Sequence, residues 1–355
     1  MYSKTEKRQL RIFALAAYGI PYLLGFLMWY GYGKQLELSA FPNAQMLYPA
    51  MGVMLAFLLT KKEGPNIPRA FYGCYILITV IHILCTVFSV LMPRMTVEMP
   101  GGTVNLWVMI LQYCQMAGSI LGVICLVIAG KEKRRAYALS WKNGKLSVLC
   151  ILLFAVLYFL RAAAAYAVQG QLSYFLKIFT EPDAWMMMGI LPLNFLLAFL
   201  AFFGEEYGWR YYLQPKLQEK FGLRKGVLFL GVLWGIWHLP LDIFFYVTPD
   251  KGLIMIVSQL ITCVTLGIFF GYAYMKTGNI WVPVIMHFLN NNLILVISGA
   301  YSADILSNQQ VAWRDIPSAL LLNGVLFGAF ILAKPYRSGR EEALRQGRRH
   351  PACGV

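Results

Sequence analysis

The sequence predicts an all-α fold: a polytopic transmembrane helical bundle of about 8–10 spans, with N-terminus and C-terminus both on the cytoplasmic side. Three observations predict it. Across 355 residues, 59% are hydrophobic and only 13% are charged, against about 25% charged in an ordinary soluble domain. A soluble chain of this composition would lack the polar residues to cover its surface. The apolar residues fall in runs close to the roughly 20 needed to cross a bilayer core. The basic residues are distributed unevenly between alternate connecting loops, as the positive-inside rule requires.

Taken in order, the runs lie at 12–31, 43–60, 71–92, 104–129, 147–169, 185–204, 225–247, 252–275, 279–298 and 316–333. The second and tenth are short. With the N-terminus inside, the cytoplasmic segments hold 25 Lys and Arg, among them Lys131, Lys133, Arg134 and Arg135 in one loop. The outer loops hold five: Lys34, Arg94, Lys177, Lys251 and Arg314. Arg161 falls inside a span. This split accounts for the net charge of +15 without nucleic acid, which is not expected as a partner. The bilayer is, and the basic loops would lie against anionic headgroups. The charged start followed by an apolar run reads as a retained signal anchor, since no small-x-small cleavage site follows it. The seven cysteines show no CxxC and no metal spacing, so neither a disulfide framework nor a cysteine metal site is expected.

The chain divides into N-terminal spans of unassigned role (1–184), a chemistry-bearing core (185–298), a final span (299–333) and a basic cytoplasmic tail (334–355). Spans one to five carry few ionisable groups. His82 reads as a packing residue, and Arg161 could pair with Asp242, reach a cavity or snorkel. Spans six to nine carry Glu205, Glu206, Arg210, His238, Asp242 and His287, followed by Asn290, Asn291 and Asn292. Ionisable groups at membrane depth are costly and are functional candidates by default.

Three clusters stand out. In Gly204-Glu205-Glu206-Tyr207-Gly208-Trp209-Arg210, a continuous helix puts Glu206 and Arg210 on one face, four apart, where they can form an ion pair. Glu205 is then turned about 100° away and can face a cavity. The plain alternative is a charge cluster at a span end. In Trp234-Gly235-Ile236-Trp237-His238-Leu239-Pro240, Trp234 can brace the imidazole four residues on. Asp242 lies one turn beyond His238, with Pro240 able to bend the geometry; a lone intramembrane His is otherwise a packing residue. In His287-Phe288-Leu289-Asn290-Asn291, an imidazole and an amide share a face. They could stabilise an oxyanion, His287 could ligate a metal, or both could bond between helices. Jointly these are parts for attack of water on a carbonyl: a base, and donors for the tetrahedral oxyanion. Gly231-xxx-Gly235 and Gly267-xxx-Gly271 would let spans seven and eight approach closely.

At these residues the sequence resembles the CAAX-protease and bacteriocin-processing (CPBP, or Abi) intramembrane proteases, of the type II CAAX endopeptidase kind. The family's motifs EExxxR, aromatic-xxx-His and HxxxN occur in order as Glu205-Glu206-xxx-Arg210, Trp234-xxx-His238 and His287-xxx-Asn291. Flanking Gly-Trp-Arg, Leu-Gln-Pro, Trp-His-Leu-Pro and Lys-Thr-Gly-Asn-Ile-Trp agree as well. The resemblance covers about 110 residues, 185–295. Trp234 stands where Phe is frequent, and Tyr211 where Gly is common.

The resemblance implies that Glu205 and His238 activate water and that His287 and Asn291 stabilise the oxyanion. Glu206 and Arg210 would orient the first helix, with Trp234 supporting the site. It leaves the cofactor unassigned. A zinc could be held by Glu205, His238 and His287, while a metal-free glutamate mechanism competes and is preferred; the HExxH spacing of soluble zinc proteases is absent. The expected function is an intramembrane endopeptidase acting on a membrane-bound or lipidated peptide or protein, in CAAX-type or bacteriocin and peptide processing. The expected location is a bacterial plasma membrane, as an integral multi-pass protein. The alternative is a non-catalytic membrane scaffold or bacteriocin self-immunity protein on the same fold. A transporter would be expected to show paired repeats in its two halves, and none is found.

Overall fold

The computed structural model describes residues 2–61, 64–99, 102–301, 303–307 and 309–337. Among the described residues, seven helical segments are long and apolar enough to cross a membrane: Lys4–Gly33, Ala40–Thr60, Arg69–Leu91, Leu106–Ile128, Gly144–Val168, Pro182–Phe221 and Pro249–Thr277. The chain is an all-α, polytopic integral membrane protein.

The first helix starts earlier than its apolar run because Ser3 and Glu6 form a reciprocal cap. Ser3 Oγ accepts from the Glu6 amide at 3.2 Å, and Glu6 Oε2 accepts from the Ser3 amide at 2.8 Å. Two orphan donors of the first turn are thereby satisfied. Three expected spans are shorter or broken. The seventh divides at His238 into Leu223–Trp237 and Leu239–Phe244, where Pro240 lacks an amide proton and its ring crowds the preceding turn. The ninth is the 17-residue helix Trp281–Ile297. The tenth is Ile316–Leu326 followed by a 3-10 turn, Gly328–Leu332. A short antiparallel strand pair, Thr96–Met99 with Gly102–Asn105, was not expected from the sequence; the β-branched Thr96, Val97, Thr103 and Val104 favour extended backbone. Of the basic tail, only the residues up to Arg337 lie within the described residues. His350 and Cys353 lie outside them, as do Lys62, Arg340, Arg345, Arg348 and Arg349 of the charge argument.

The chain forms two compact units. Among the described residues, one comprises those up to Ser140 with Leu196–Tyr212; the other comprises Trp141–Phe195 and the chain from Leu213 to Arg337. In the first, Ala40, Cys85, Val108 and Leu111 form a buried apolar cluster. His82 is buried and donates from Nδ1 to the Ile78 carbonyl at 2.8 Å, which is the packing role expected of it. In the second, Phe154 packs against Phe269, Phe270 and Phe327 at centroid distances of 5.6–5.9 Å.

The Gly231-xxx-Gly235 spacing does what small residues do between membrane helices. A Cβ on Gly231 would sit 2.6 Å from Val264 Cα, and one on Gly235 would sit 2.7 Å from Leu260 Cδ2. Gly231→Ala must therefore push two backbones apart. It is expected to destabilise the protein by about 1–3 kcal/mol, read as a lower melting temperature of purified protein. Gly73→Ala, whose Cβ would meet nothing within 4 Å, should leave that temperature unchanged or raise it.

Candidate active site

Helix Pro182–Glu206 carries Glu205 and Glu206 in its last turn, which belongs to the first unit, and then widens into a π-helical turn, Tyr207–Leu213. The continuous α-helix expected through this motif is thus corrected. The wider winding alters how side chains project, and such turns recur at functional sites. The expected ion pair forms regardless: Arg210 Nε donates to Glu206 Oε2 at 2.8 Å, with both side chains fully buried. A charge-assisted bond of this kind gains strength where water is excluded. Glu205 is 2% exposed.

Close packing explains the glycines of this motif. A Cβ on Gly204 would run into the Met46 carbonyl oxygen and the Tyr75 hydroxyl, and one on Gly208 into Pro49. Tyr211 stacks on Tyr207 at 4.5 Å, and Tyr207 stacks on Phe203 at 4.8 Å. The Tyr72 and Tyr207 hydroxyls meet at 2.7 Å, and Tyr207 also donates to the Tyr137 carbonyl at 3.2 Å. Tyr211 thereby takes up space that a glycine would leave to its neighbours, and the aromatic column clamps the π turn.

The second unit brings Trp234, His238 and His287 together. The Trp234 ring lies 6.1 Å from the His238 ring and 5.5 Å from the His287 ring, edge-on to the latter. Both histidines are buried. His238 ends its helix, and its Nδ1 faces the Trp234 carbonyl oxygen at 2.9 Å. A carbonyl can only accept, so Nδ1 carries the proton and the neutral ring presents Nε2 as its basic nitrogen. Trp237 packs edge-on to His238 at 4.8 Å, and Cys263 Sγ lies 3.8 Å from Nδ1. Phe270 contacts both Trp234 and His287, at 6.3 and 6.1 Å.

Asn291 lies one helical turn after His287. Its Oδ1 accepts from Asn290 Nδ2 at 2.9 Å. That bond orients the amide so that its NH₂ group, a double donor, remains for another acceptor. Asp242 is fully buried; its backbone amide bonds the His238 carbonyl at 2.9 Å, and neither carboxylate oxygen has a hydrogen-bond partner among the described residues. It does not pair with Arg161, which instead bonds Asn323.

Trp237, Cys263, Phe270 and Asn290 shape the surroundings of the histidines without having been singled out in the sequence as site residues. Trp237 and Asn290 adjoin the motifs and could have been found by proximity. Phe270 and Cys263 sit in an apolar span with nothing in their pattern to mark them. Zinc ligation needs three or four side chains converging on one point. Among the described residues, no three His, Cys, Asp or Glu gather in that way.

Residues 185–293 match the model of a family described as type II CAAX prenyl endopeptidase Rce1-like. Over 106 residues the chain is 30% identical to the CAAX prenyl protease 2 of Methanococcus maripaludis, a stretch covering 28% of this chain and 39% of that protein. No solved structure matches the chain. The matched segment contains all three motifs, from Glu205 to Asn291, and the chain is similar there to the Rce1-like type II CAAX prenyl endopeptidases.

Proposed function

We propose that the chain is an intramembrane endopeptidase that hydrolyses a peptide bond in a membrane-associated or lipidated peptide or protein. The observation that carries this reading is the grouping of His238 and His287 around Trp234, with an oriented amide at Asn291, inside the segment that matches a peptidase family. In the proposed reaction, Glu205 takes a proton from water, assisted by Nε2 of His238, as the oxygen attacks the scissile carbonyl. His287 and Asn291 donate to the oxyanion of the tetrahedral intermediate. Its collapse breaks the C–N bond, and the proton held by Glu205 or His238 passes to the leaving amine. The Arg210–Glu206 pair holds the turn that carries Glu205. A bacterial plasma membrane is the proposed location.

Membranes from cells expressing the chain should cleave a farnesylated reporter peptide that host membranes leave intact. Absence of product from the wild-type protein contradicts the reading. The proposed chemistry runs without a metal. Cleavage is expected to persist after EDTA or 1,10-phenanthroline treatment of purified protein, at an unchanged rate. Loss of activity that added zinc restores would overturn that part.

A further inference from the structure

Arg161 lies well inside the membrane helix Gly144–Val168 and is half-buried. Its Nη1 donates to Oδ1 of Asn323 at 3.3 Å, and its Cζ lies 4.9 Å from the centre of the Tyr158 ring. Both partners are neutral. Among the described residues no carboxylate pairs with Arg161. Asp242, a buried acid of the same unit, has no side-chain hydrogen bond among the described residues. A guanidinium has five donors, and one bond to an amide uses a small part of that capacity. A cation at membrane depth ordinarily carries a counter-charge; this one is held in position without one.

The holding is specific. Asn323 is buried, and its Nδ2 donates to the Ala319 carbonyl at 2.8 Å, which aims Oδ1 at the guanidinium. Tyr158, beneath Arg161, donates its hydroxyl to the Asn290 carbonyl at 3.2 Å. Asn290 in turn bonds Asn291. A positioned cation is thus tied through one tyrosine to the helix that carries His287 and Asn291.

We infer that Arg161 is the binding site for the terminal carboxylate of a peptide substrate cut a few residues from its carboxyl end. The inference rests on the endopeptidase reading above. A carboxylate is planar and offers two oxygens that match the guanidinium fork. Such a peptide must bring that charge into a low-dielectric setting, where an uncompensated anion is costly. Each charge supplies what the other lacks. Tyr158 joins the two places: the guanidinium lies over its ring, 4.9 Å from the ring centre, and its hydroxyl meets the Asn290 carbonyl at 3.2 Å.

The test uses full-length protein carrying Glu205→Gln, in nanodiscs, and two fluorescent farnesylated peptides that differ only in ending as a carboxylate or a carboxamide. Binding is read by anisotropy. With Arg161 present, the acid should bind about tenfold or more tighter than the amide. Arg161→Gln should reduce that gap to about twofold by weakening the acid alone, and Arg161→Lys should keep part of it. If Arg161→Gln does not fold, Asn323→Leu, which releases the guanidinium, should narrow the same gap. Equal binding of the two peptides, no binding of either, or a gap that survives both substitutions overturns the inference. So does loss of a co-purified anionic phospholipid in Arg161→Gln without any acid–amide gap, which assigns the cation to a lipid headgroup. Cleavage is scored separately with Glu205 intact. Acid-selective binding without cleavage would strike the endopeptidase reading and leave the carboxylate site standing.

Discussion

Glu205→Gln is expected to lower the cleavage rate of a lipidated reporter by at least about a hundredfold, the lower end of what a positioned general base contributes. The substitution keeps the volume and shape of a side chain that is 2% exposed, and it removes the ability to take a proton from water. Protein level and melting temperature should therefore stay at wild-type values, which separates loss of chemistry from loss of fold. His238→Ala should lower the rate by a similar factor. Its ring is held by the Trp234 carbonyl through Nδ1, so its basic nitrogen is the one lost to catalysis. Initial rates on purified protein decide the matter. Full activity in either variant would contradict the assigned roles, and complementation of a cellular function by Glu205→Gln would favour a scaffold or immunity role.

Arg210→Met should have the largest effect on stability. Arg210 and Glu206 are both fully buried and joined at 2.8 Å. Removing one partner leaves the other charge in an environment that cannot solvate it, a loss of about 3–5 kcal/mol. Much of that loss is the penalty on the orphaned carboxylate, so the double variant Glu206→Gln with Arg210→Met should regain part of it. Thermal unfolding of the three purified proteins measures the coupling. A melting temperature in Arg210→Met equal to that of the wild type would show that the pair does not hold the π turn.

Much of the architecture was legible because membrane burial imposes simple rules. Long apolar runs marked five of the seven long described helices closely. Pairs four residues apart, Glu206 with Arg210 and Trp234 with His238, could be read as neighbours and are found in contact. The break at His238 was foreshadowed by Pro240. Other features left no comparable trace. The π turn at Tyr207–Leu213 contains no helix breaker after Gly208, and its winding follows from close packing of Gly204 and Gly208 against residues far away in sequence. The extension of the first helix back to Lys4 depends on a cap in a charged stretch that reads as a cytoplasmic end. Phe270 became part of the histidines' surroundings only through folding. Arg161 could be flagged as out of place, but its neutral partners come from Tyr158 and from Asn323, 162 positions away.

The central claim is hydrolysis of a peptide bond that depends on Glu205. It is tested most directly by mass spectrometry of a farnesylated peptide incubated in ¹⁸O-water with purified wild-type or Glu205→Gln protein in nanodiscs. The predicted result is two fragments from the wild type alone, with one ¹⁸O in the new carboxyl group, in amounts at least about a hundredfold above the variant. Intact peptide with the wild type, or equal fragments from both proteins, would contradict the account.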